Sequence, residues 1–130
     1  MKDLERLELL KAALAIASAD GHMSKPELGV VLGLAARVGV GRASLEAMMD
    51  RIQRGDTSIA DQIVMQSPES ARTALELLVA QARIDGRITD PEREILVRIA
   101  TRLNITGEEF KTIYQAGINR ADKIRKPRGN

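Results

Sequence analysis

An all-α domain of about seven helices, built as two pseudo-symmetric three-helix repeats around one core, is what this 130-residue sequence predicts. Three observations carry that expectation. Apolar residues recur at three- and four-residue steps along the chain, and no alternating run argues for a strand. Glycine, proline and hydroxyl residues stand where such stretches must stop and start. The chain also repeats itself at an interval of 65 residues.

The first helix is expected over about Lys2 to Ala19, with Leu4, Leu7, Leu10, Leu14 and Ala17 forming a stripe that Leu9, Ala13 and Ile16 widen towards full burial. Asp20-Gly21 stops it, because glycine enters the left-handed region at little cost. A second helix from about Lys25 to Val38 ends at Gly39, and a third from about Arg42 to Gln53 ends near Gly55. A short helix at Thr57 to Met65 follows, capped by Asp56 or Thr57. Ser67 then caps a helix that has Pro68 at its first position and runs to about Ile84. After Asp85-Gly86 come helices at about Asp90 to Leu103 and Gly107 to Lys123, the last with Thr106 and Glu109 spaced as a capping box.

Sliding the chain by 65 residues aligns 12–49 with 77–114 without a gap. There are eight identities in 38 positions, a weak signal alone, but apolar character is kept at Met23/Ile88, Val30/Ile95, Val31/Leu96, Leu34/Ile99, Val40/Ile105 and Leu45/Phe110. Two units of helix, turn, helix, turn, helix would most economically face each other and share one core. Residues 1–118 are read as one domain and 119–130 as a basic tail.

With one Phe, one Tyr and no Trp, the core must come from aliphatic side chains and Met. The absence of cysteine excludes disulfides, thiolate metal sites and cysteine nucleophiles. Charges at Lys2, Asp3, Glu5, Arg6, Glu8 and Lys11 interrupt the start of the chain, and no apolar run approaches the ~18 residues of a membrane span. A soluble, cytoplasmic protein is expected. Net charge is +2, but residues 119–130 hold five basic residues against Asp122, a net of +4, which leaves −2 for 1–118.

The most conserved piece of the internal repeat is DGHMSKPE at Asp20 to Glu27, returning as DGRITDPE at Asp85 to Glu92. Ser24-x-x-Glu27 and Thr89-x-x-Glu92 are capping boxes, with Pro26 and Pro91 in a first turn where a missing N–H does no harm and Gly21 and Gly86 at the helix stops. Met23 and Ile88 precede the caps as staple residues. Asp20 and Asp85 are not explained in this way, because a carboxylate at a helix C-terminus opposes the macrodipole. Asp, Gly, the apolar residue and Glu fall at the fifth, sixth, eighth and twelfth positions of a calcium EF-hand loop, but Ile16 and Ser18, and Gln81 and Arg83, occupy the first and third. Neither copy is a standard EF-hand, so a cation would need carboxylates pooled from both. Arg37, Arg102 and Arg87 are rival counter-ions.

Two copies of DGx(apolar)xxxE at helix junctions in an all-α chain of this length resemble the TerB family, named for tellurite resistance, over about Leu4 to Ala116. The resemblance implies a seven-helix pseudo-symmetric TerB-like domain, cytoplasmic, in bacterial stress and tellurium-resistance systems. It also implies an acidic surface for divalent cations and association with Ter-type or other stress proteins, some of them at the membrane. On this chain the matching acids are Asp20, Glu27, Asp85 and Glu92, joined in the second copy by Asp90 and Glu94, where the first copy has Lys25 and Gly29.

The expected function is therefore a non-catalytic, TerB-like module that binds calcium or magnesium through those acids and acts through protein partners. The alternative is a helical protein-interaction scaffold without metal. The tail residues Arg120, Lys123, Arg125, Lys126 and Arg128 are either a soluble helix end or a contact for an anionic membrane surface. Without a basic stripe or stacking aromatics, nucleic acid is not an expected partner. His22, whose counterpart is Arg87, reads as a turn residue, and no nucleophile elbow, phosphate loop or zinc-protease motif is present, so no catalysis is expected.

Overall fold

The computed structural model describes residues 3–19, 25–54, 63–84 and 86–125. They form six helices and, among the described residues, no strand: α1 Asp3–Ala17, α2 Lys25–Arg37, α3 Arg42–Gln53, α4 Pro68–Arg83, α5 Asp90–Arg102 and α6 Gly107–Arg125. The expected short helix is the exception to the sequence reading. Ile63, Val64 and Met65 are not helical, and residues 57–62 lie outside the described part.

α1 is the hub, packing on α2, α3, α4 and α5. From Leu9 to Ala17 every residue but Lys11 keeps 2% or less of its surface exposed, as suits a helix that is apolar all round. Its alanines, Ala12, Ala13, Ala15 and Ala17, keep the helix thin enough for neighbours on several sides. The start of the helix departs from the expected stripe: Leu4 is 70% exposed, whereas Glu5 is buried and accepts a hydrogen bond from Gln66 N at 2.9 Å. That bond, with Ile63 buried and its carbonyl taking a bond from Arg102 Nε at 3.2 Å, pins the segment ahead of α4 to α1 and α5.

Both three-helix units contribute to one continuous core, which includes Val31, Ala35 and Leu45 from the first and Leu96, Ala100 and Ile113 from the second. The most extensive helix pair is α4 with α6. Gly117 makes that approach possible, since a Cβ there would lie 2.6 Å from Val79 Cβ and 2.8 Å from the Glu76 carbonyl oxygen.

The two units end their second helices in the same way. At α2, Gly39 N bonds to Ala36 O and Val40 N to Ala35 O (3.3 and 2.9 Å); at α5, Asn104 N bonds to Thr101 O and Ile105 N to Ala100 O (3.1 and 2.9 Å). These are Schellman closures, and Gly39 (φ +72°) and Asn104 (φ +60°) supply the left-handed residue each requires. No helix among the described residues is long and apolar enough to cross a membrane.

Candidate functional site

The second Asp-Gly turn shows what the repeated motif does locally. α4 closes with Ile84 N bonded to Gln81 O and Gly86 N to Arg83 O at 2.8 Å. Gly86 has φ +106°, a conformation that side chains rarely adopt. Ile88 then packs against the core. Thr89, extended at φ −75° and ψ 162°, caps α5: its Oγ1 accepts from Glu92 N at 3.3 Å. Glu92 Oε1 in turn accepts from Thr89 N at 2.8 Å and from Thr89 Oγ1 at 2.9 Å. With Pro91 in the first turn, the whole capping box is formed.

Glu92 is thus not a carboxylate held out to solvent. It keeps 3% of its surface, and one oxygen already accepts two hydrogen bonds. Glu27 has the same exposure in the first copy. Asp90 and Glu94 are exposed. Asp90 stands in the first turn of α5, where a negative charge complements the macrodipole. Pro26 opens the first turn of α2. Asp20, Gly21, His22, Met23, Ser24 and Asp85 lie outside the described residues, so the pooled carboxylate cluster expected from the sequence is represented only by its two buried glutamates and the two exposed acids. Among the described residues, no three of His, Cys, Asp and Glu come together as a metal site.

The expected counter-ions are dispersed. Arg102 binds the Ile63 carbonyl, Arg87 is exposed, and Arg37 stands at the end of α2 beside Leu34. Of the basic tail, Arg120 is tied across the helix pair, its Nε 2.8 Å from Glu76 Oε2, and Lys123 is exposed. Residues 119–125 belong to α6, with Ala121 fully buried, so this part of the basic segment is folded into the domain. Lys126 and Arg128, and the side chain of Arg125, lie outside the described part.

One feature is absent from the motif-based reading. Between α2 and α6, floored by α1 and α4, lies a groove of about 380 Å³ with walls that include Leu9, Val30, Leu34, Leu77, Ile84 and Ile124. Arg37 and Arg120 are its charged residues, and Gln81 is buried in its lining. Gln81 Nε2 donates to Ala13 O at 3.2 Å, and its Oε1 has no hydrogen-bond partner among the described residues. The sequence does carry a signal of the groove: Leu28, Val30, Val31, Leu32 and Leu34 are more apolar residues than a 13-residue helix needs for one buried stripe.

Against known proteins, no family model matches the sequence, no curated protein matches it and no solved structure matches.

Proposed function

We propose that this chain is a non-catalytic helical interaction module of TerB-like organisation, in which the two repeated Asp-Gly motifs set helix ends rather than hold a cation. The observation that carries this reading is the capping box at Thr89 and Glu92. The glutamate that a cation would recruit is buried and spends its Oε1 on the α5 N-terminus. Bidentate ligation, as the last Glu of an EF-hand loop provides, would take Oε1 from the Thr89 N–H, at a cost of about 1–3 kcal/mol for a buried group. The matched burial of Glu27 supports the same role in the first copy. The domain would act through surfaces offered to partner proteins, of the stress-response kind that the TerB resemblance implies.

Titration of calcium, magnesium and zinc into metal-free protein, followed by calorimetry and Tm, tests this reading. No saturable heat and an unchanged Tm at millimolar cation are expected. A saturable stabilisation that the Asp20→Asn, Asp85→Asn double variant abolishes would return the motif to a cation site.

A further inference from the structure

We propose that the groove between α2 and α6 is a binding site for a single-chain anionic amphiphile, a free long-chain carboxylate, with the alkyl chain inside and the carboxylate at the arginine rim. Its volume of about 380 Å³ falls in the range of ligand pockets, and gaps between helices of a bundle are a common place for them. The walls are aliphatic. The two aromatic rings of the chain, Phe110 and Tyr114, pack edge-to-face on each other 5.4 Å apart and line no part of the groove, so a flat ring would find nothing to stack on. An alkyl chain gains dispersion contacts and loses water along the whole length.

The charged residues of the groove lining are both basic. Arg37 and Arg120 line it and no acid does among its described residues, while Lys123 and the acid Glu76 adjoin Arg120 and Ile124 on the same side. Glu76 holds Arg120 in place at 2.8 Å, and Arg37 makes no ion pair among the described residues. Ile124, 69% exposed beside Arg120, offers apolar surface where the chain would enter. The anionic end belongs at the rim, where the exposed Arg37 and Arg120 stand, because the rest of the lining, buried Gln81 apart, is aliphatic. Such a ligand would bind whether or not the Asp-Gly turns hold a cation.

The test is a methyl and amide NMR titration of the full chain with sodium dodecanoate below its aggregation concentration. Dodecanol serves as the uncharged probe and phosphatidylglycerol vesicles as a separate arm. Saturable shifts at Val30, Leu34, Leu77, Ile84 and Ile124 are expected with dodecanoate. Arg37→Glu should weaken dodecanoate by about fivefold or more, as reversal of one exposed charge implies, with dodecanol unaffected. Leu34→Trp should block both probes; should that variant not fold, the Arg37→Glu comparison decides. The proposal is overturned by an absence of saturable shifts at millimolar dodecanoate, by shifts away from the groove, by an Arg37→Glu variant that binds as well as the parent, or by binding to vesicles alone.

Discussion

Glu27 and Glu92, 65 positions apart in the chain, each retain 3% of their surface, although a glutamate near a helix start is ordinarily solvated. At Glu92 the reason is visible. Its carboxylate closes over the Thr89 backbone and hydroxyl and seals the α5 N-terminus onto the core. The burial is repeated at Glu27, and so is the burial of the apolar residues behind it, Val31 with Leu96 and Ala35 with Ala100. At these three aligned pairs the character of the residue and its burial agree, whereas Val30 and Leu34 are only half-buried where Ile95 and Ile99 are buried.

If Glu92 serves the cap, Thr89→Ala should cost about 1 kcal/mol, by loss of the acceptor for Glu92 N. Glu92→Ala should cost more, about 2–3 kcal/mol, since it removes a charged acceptor and leaves the Thr89 amide unsatisfied. The double variant should fall short of the sum, because both changes dismantle one box. Urea unfolding of the four proteins measures all three quantities.

The two Schellman closures yield a prediction by exchange. Asn104 already performs in the second copy, at φ +60°, what Gly39 performs in the first at φ +72°. Gly39→Asn should therefore cost a few tenths of a kcal/mol and Asn104→Gly should be neutral or slightly stabilising, whereas Gly39→Ala should cost about 1 kcal/mol. Adding a Cβ at Gly39 meets nothing within 4 Å, so any loss in thermal unfolding reports backbone strain alone.

The features legible in the sequence are those with local causes. Helix ends at Gly39, Gly86, Ser67 and Thr89 follow from backbone chemistry within a few residues, and the structure places them within two residues of the sequence reading. Partners far away in the chain were not legible. Glu5, which the sequence offers only as one of the charges that interrupt the start of the chain, is buried and accepts from Gln66 N, 61 residues on; Leu4 beside it, part of the expected apolar stripe, is left exposed. Thr106 and Glu109 have capping-box spacing, yet the Glu109 carboxylate lies 3.6 Å from Arg72 of α4. The groove depends on how α2 and α6 stand around α1 and α4, and no single-helix pattern encodes that. Only the surplus of apolar residues on α2 points to it.

Gln81 is buried at 4% exposure with one amide group bonded to Ala13 O and Oε1 without a partner among the described residues. Its aligned counterpart in the first copy is Ile16, an apolar residue of similar length. Gln81→Met keeps the volume and removes the buried acceptor, at the loss of one hydrogen bond of about 1 kcal/mol. Stability is expected to stay level or rise by up to about 1 kcal/mol in urea unfolding. A loss above about 2 kcal/mol would show that Oε1 is satisfied in solution.

Glycines inside helices should respond to alanine with opposite signs, according to what stands opposite them. Gly33 in α2 faces open space, with nothing within 4 Å of an added Cβ, so Gly33→Ala should stabilise by about 0.5–1 kcal/mol through helix propensity. Gly117 in α6 is in the reverse position. The added carbon would come within 2.6 Å of Val79 Cβ and Cγ1 and 2.8 Å of the Glu76 carbonyl, and two of these three atoms belong to backbone or to a branch point that cannot swing away. Helix α6 would have to back off from α4, and overpacking of that kind costs about 1–3 kcal/mol, more than the propensity gain returns. Gly117→Ala should therefore lower Tm while Gly33→Ala raises it. Stabilisation by both would mean that α6 sits farther from α4 than this packing requires.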